Sequence, residues 1–183
     1  MADYLSVSVE LEPHLVKFLL YHYGGRNVTA SRDDMFGALF IAILRKPPYN
    51  WKPTANDERR CWQFLVEAHN SKGRGLWVDN DSAALFRNYV RRTFDLIFYS
   101  YIAIAVMAEQ QKMTSAINNF RDKYDIQEDD LTLDAMKKAF YRLRQEYNGL
   151  KIKELKEFGV ICPFFNGLVD KYLGKYAGYN KAS

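Results

Sequence analysis

The stretch YLSVSVELEPHLVKFLLYHYGG, Tyr4 to Gly25, decides the class of the fold. Leu5, Val7, Val9 and Leu11 alternate with Ser6, Ser8 and Glu10, the period of two expected of a strand with one buried face. At Pro13 the period lengthens. Leu15, Phe18, Leu19 and His22 recur at helical spacing, Pro13 suits a first helical turn, and the glycines of YGGRN end the helix. A strand running into a helix points to an α+β protein.

Working outward, Ser31 with Asp34 three residues on has the outline of a capping box, and it opens a second helix with Met35, Leu39, Phe40, Ile43 and Leu44 inward. Pro47 and Pro48 stop that helix. PPYNWKPTANDE, Pro47 to Glu58, reads as a connector. CWQFLVEAH and GLWVD, joined by NSKGRG, predict a β-hairpin with a basic tip. Asp81 or Ser82 can cap a long core helix reaching about Gln111, with Leu85, Val90, Phe94, Ile97, Phe98, Tyr101 and Ile104 apolar on more than one side. Helices over Thr114 to Tyr124 and Leu133 to Tyr147 follow, separated by a turn, and the tail holds one or two short helices. The expected fold is therefore α+β and mostly α-helical. Its parts are a strand-helix-helix unit (1–46), a connector with hairpin and long helix (47–111), and a helix-turn-helix-like unit with a basic, aromatic tail (112–183).

Bulk properties narrow the classes. With 183 residues, 48% hydrophobic and 15% aromatic content, the chain has material for a real core and is not disordered. A net charge of +4 permits anionic partners without demanding them, so local distribution must decide. The opening residues lack the pattern of a signal peptide, and the most apolar run, Leu96 to Ala108, is shorter than the roughly 20 residues a bilayer needs. Cys61 and Cys162 fit reduced, buried thiols better than a disulfide framework, and the expected compartment is the cytoplasm of a bacterial host.

Strand, helix, helix in about forty residues resembles the ribbon-helix-helix family at LSVSVELEPHLVKFLLYHYGG…VTASRDDMFGALFIAIL. The resemblance implies a two-fold ribbon whose outward residues, here Ser6, Ser8 and Glu10, enter the major groove. It also implies a phosphate at the second helix near Ala30 and Ser31, where Asp33 and Asp34 would repel it. An unpaired strand would leave a sticky edge, so a homodimer is expected if the ribbon forms. The alternative is a plain β-α-α corner within a larger fold.

FRDKYDIQEDDLTLDAMKKAFYRLR resembles the helix-turn-helix modules of small DNA-binding proteins of bacterial phages and mobile elements. Its turn is longer than that family's three or four residues. Ile117, Phe120, Tyr124, Ile126, Leu131, Leu133, Met136, Phe140 and Leu143 form the inner set. The outer face presents Lys137, Lys138, Tyr141, Arg142 and Gln145, with Arg144 at its edge, side chains suited to phosphates and base edges. Glu128, Asp129, Asp130 and Asp134 stand at the helix opening, where they complement the macrodipole but oppose insertion of that end into DNA. From Lys137 to Lys156 seven cations (Lys137, Lys138, Arg142, Arg144, Lys151, Lys153, Lys156) meet two anions (Glu146, Glu154), a local net of +5. A solvated face is the ordinary meaning of such charges; the sustained cationic run and the interleaved arginine and tyrosine favour nucleic acid.

Lys72 and Arg74 at the hairpin tip are auxiliary phosphate contacts on the same reasoning, with Arg59, Arg60, Arg87, Arg91 and Arg92 nearby in sequence. Enzyme chemistry finds no support. His14, His22 and His69 lack metal spacing, no phosphate loop or nucleophile elbow occurs, and DIQEDD lacks the glycine and final glutamate of a calcium loop. The expectation is a non-enzymatic protein without metal or cofactor that binds double-stranded DNA, a transcriptional regulator of a phage or mobile element. The alternative is a phage structural or assembly protein whose partners are other phage proteins.

Overall fold

Val7 and Val9, buried on one face of the first strand, find their partners not in a neighbouring hairpin but some fifty residues on. The structure, a computed structural model, describes residues 4–26, 28–49, 60–67, 75–107 and 109–148. Elements run β1 (Tyr4–Glu10), α1 (Pro13–Tyr23), β2 (Val28–Thr29), α2 (Met35–Ile43), β3 (Cys61–Glu67), α3 (Asn80–Met107), α4 (Met113–Lys123) and α5 (Leu133–Asn148). Among the described residues the protein is thus a mainly helical α+β fold.

The sheet order is β1-β3-β2. β1 runs antiparallel to β3 with Val7 opposite Phe64, while β2 runs parallel to it with Val28 opposite Phe64. β3 takes the centre because Cys61, Trp62, Phe64 and Val66 are buried, a more apolar strand than an alternating surface strand would be. The expected hairpin between CWQFLVEAH and GLWVD is therefore corrected: both neighbours of β3 come from earlier in the chain. Trp77 pairs with Arg45 instead, in an isolated antiparallel bridge with N–H···O distances of 2.8 and 3.1 Å. The premise of an unpaired N-terminal strand is corrected too, since β3 occupies one edge of β1.

Helix ends follow local chemistry. Pro13 starts α1, and Gly24 ends it in a left-handed conformation (φ 71°), its N–H donating to the Leu20 carbonyl. The cap of α2 is Asp34, which accepts from the Gly37 N–H at 2.7 Å; Ser31, expected in that role, accepts from the Asp33 N–H in the preceding turn. The cap of α3 is Asp79, at 2.6 Å from the Ser82 nitrogen, two or three residues before the expected cap at Asp81 or Ser82. His22 and Leu85, expected inward, are exposed.

Asp34 also accepts from the Tyr23 hydroxyl. Burial first, then this bond and the carboxylate charge, push the Tyr23 phenol far above its ordinary range. Asp34→Ala removes a cap and strands a half-buried hydroxyl, so we expect a loss of about 2 kcal/mol in thermal melts. Asp34→Asn, which can still cap, is expected to retain most of that stability.

The chain divides into two compact units, Met1–Leu96 with Arg121–Thr132, and Ile97–Phe120 with Leu133–Ser183. The first has an aromatic core: Phe40 lies 4.6 Å from Phe64 and 5.5 Å from Phe86, and Tyr23 stacks on Trp62 at 5.6 Å. In the second, Phe98 meets Phe120 at 5.1 Å and Tyr99 stacks on Phe140 at 5.5 Å. No described helix is long and apolar enough to cross a membrane.

Candidate nucleic-acid interface

α5 carries a sharp division of faces. Met136, Phe140 and Leu143 are buried, a spacing of three and four that puts them on one side. On the opposite side Lys138, Tyr141, Arg142 and Gln145 are exposed, Tyr141 to 52%. Asp134, Lys138, Tyr141 and Gln145 follow each other by three or four residues along the middle of that face. Lys137 flanks the row on one side and Arg142 on the other. Lys137 is half-buried and its ammonium lies 3.8 Å from the Asp134 carboxylate. Lys138 and Arg142 have no ion-pair partner among the described residues. The arrangement puts Lys138, Tyr141 and Gln145 along the middle of the exposed face and the cations Lys137 and Arg142 at its margins.

The acids before α5 are used differently from the expectation. Asp125 and Asp130 converge on Lys17 of α1, whose ammonium donates to the Asp125 carbonyl (2.5 Å) and to the carboxylates of Asp125 (3.2 Å) and Asp130 (2.8 Å). Burial, the largest single influence, lowers the Lys17 pKa, but the bonds to Asp130 and Asp125 outweigh it and hold the ammonium above its usual value. Asp125 is correspondingly held below the ordinary carboxylate range, chiefly by its bond to Lys17 and then by Gln127. Asp130 also accepts from the Gln127 N–H at 2.8 Å, and Glu128 pairs with Arg121 at 2.8 Å. Asp134, in the first turn of α5, is the acid that sits where the macrodipole favours it. Of the four acids expected at the helix opening, Glu128 and Asp130 are thus ion-paired.

Sequence reasoning missed Lys17. A signal existed: in PHLVKFLLYHY it is the one Lys or Arg in an otherwise apolar helix. Near it, His14 packs edge-on to Phe94 at 5.1 Å, and its buried Nδ1 has no hydrogen-bond partner. Burial lowers its pKa most, Glu12 raises it, Arg91 lowers it, and Asp130 raises it through charge and backbone carbonyl, for a net fall. Glu12 accepts from Arg91, leaving its other oxygen buried and unbonded.

Of the other site residues expected from sequence, Lys72, Arg74 and the side chain of Arg144 lie outside the described residues, as do Arg59, Lys151, Lys153 and Lys156. The outward strand residues Ser6, Ser8 and Glu10 stand opposite Leu65, Gln63 and Cys61 of β3. Among the described residues no group of three or more His, Cys, Asp or Glu side chains could hold a metal ion. Compared with known proteins, the chain matches no family model, no curated protein and no solved structure.

Proposed function

We propose that the protein is a non-enzymatic binder of double-stranded DNA that docks the outer face of α5 on the duplex, acting as a regulator of a phage or mobile element in a bacterial cytoplasm. The observation that carries this reading is the exposed row Lys138, Tyr141, Arg142 and Gln145 opposite the buried Met136, Phe140 and Leu143. Lys138 and Arg142 supply charge for phosphates, Gln145 and Arg142 can read base edges, and Tyr141 offers a flat ring with a hydroxyl. A homodimer presenting two such faces fits a palindromic site.

A titration of duplex DNA at several salt concentrations tests it. Binding is expected to weaken steeply with salt, and Lys138→Ala and Arg142→Ala are each expected to lower the slope of log K against log salt by about 1. Failure to bind random and genomic DNA at low salt overturns the proposal. The second reading, a phage assembly protein, is favoured by large apolar side chains at the surface, Tyr4, Leu5, Tyr21 and Leu85. It predicts concentration-dependent association indifferent to Lys138 and Arg142.

A further inference from the structure

We propose that Asp134 selects base sequence on the outer face of α5, its carboxylate accepting from the amino group of a cytosine in the major groove, a role that rests on α5 docking on DNA. At about 100° per residue, Asp134, Lys138, Tyr141 and Gln145 all point within about 50° of the direction opposite Met136, Phe140 and Leu143. Their line covers about 16 Å, the rise of about five base pairs. Asp134 therefore stands on the same line as the groups that would meet the duplex, and not beside it. Its side chain is 83% exposed, against 32% for Lys137. Glu128 and Asp130, ahead of the helix, are held by the protein: Glu128 pairs with Arg121, and Asp130 with Lys17 and the Gln127 N–H. Asp134 has one ion pair among the described residues, to the Lys137 ammonium at 3.8 Å on the flank of the row. A pair that long between exposed groups is worth little, so the carboxylate is available to a ligand.

What a carboxylate can bind there follows from its charge. It repels phosphates, and in its ionised form it offers acceptors only. In the major groove guanine and thymine present acceptors, and adenine sets its N7 acceptor beside its amino group. Cytosine presents its amino group alone, so it is the base a carboxylate tolerates best. Against any other base Asp134 costs affinity, because its charge meets acceptors and sits near phosphates uncompensated. Lys138 and Arg142 supply attraction to any duplex, and Asp134 penalises the wrong ones. Its place in the first turn of α5 also suits the macrodipole, but that role alters stability and leaves base preference untouched.

Selection from a pool of randomised duplexes by the full chain at low salt, followed by sequencing, tests this role. The duplexes held by the wild type are expected to share a position where cytosine exceeds the other bases about tenfold. In Asp134→Ala that preference is expected to fall to about twofold or less, while affinity for unselected duplex rises about threefold. Asp134→Asn is expected to move the preference to adenine, whose amino group and N7 an amide meets together. Circular dichroism checks that both variants keep their helices. Duplex retained without a cytosine position that depends on Asp134 overturns the role of Asp134 alone, as does weaker binding of unselected duplex by Asp134→Ala. No duplex retained by the wild type overturns DNA binding by α5 and the role of Asp134 with it.

Discussion

Phe64→Ala is expected to remove about 3–5 kcal/mol of folding stability, among the largest losses a single truncation here can cause. The side chain is fully buried in the central strand and touches rings from four directions: Phe40 at 4.6 Å, Trp62 at 5.9 Å, and Tyr23 and Phe86 at 6.0 Å. These rings come from α1, α2, β3 and α3, so the cavity cannot close by the movement of one element. A domain of ordinary stability, about 5–15 kcal/mol, keeps little margin after such a loss. Urea denaturation checks it, with a lower midpoint and an unchanged slope. Leu85→Ala is the control: at 56% exposure it should change stability by less than about 0.5 kcal/mol.

Gly75→Ala is expected to cost about 3 kcal/mol, though it adds only one methyl group. Gly75 has φ 88°, and a Cβ there would stand 2.3 Å from the Arg45 carbonyl oxygen and 2.6 Å from the Lys46 Cα. Both obstacles are backbone, so no rotamer change relieves them. The Arg45–Trp77 bridge that replaces the expected hairpin depends on this close approach. Near-ultraviolet circular dichroism should report the displaced Trp77 along with the lowered denaturation midpoint. Gly25→Ala, where nothing lies within 4 Å of the added carbon, should be close to neutral.

What the sequence disclosed follows the range of the forces involved. β1, α1 and the inner sets of α4 and α5 were legible, because period and local caps are written in consecutive residues: Val7, Val9, Leu15, Phe18, Ile117, Phe120, Met136 and Phe140 are all buried as their spacing predicts. The exposed face of α5 was legible for the same reason. Sheet order was not, since the strands that flank Phe64 come from Val7 and Val28, and nothing local distinguishes those partners from the adjacent GLWVD. The cap of α2 lies three positions beyond Ser31, at Asp34, because Ser and Asp compete for the same role and only geometry ranks them. The fate of the acidic turn was illegible too. Its partner Lys17 lies 108 residues before Asp125, where charge pattern carries no information about contact.

The order β1-β3-β2 also has a consequence for how the chain is made. A ribosome releases β1 and β2 well before Cys61–Glu67, the one strand among the described residues that pairs with either of them. At roughly 5–20 residues per second, the N-terminal segment spends some seconds with Val7, Val9 and the apolar side of α1 uncovered. Arrival of β3 then completes both pairings at once, so the sheet closes late and as a single event during translation. A nascent chain arrested before Cys61 should be a good client for chaperones that hold exposed apolar strands, and one arrested with Glu67 well clear of the exit tunnel a poor one.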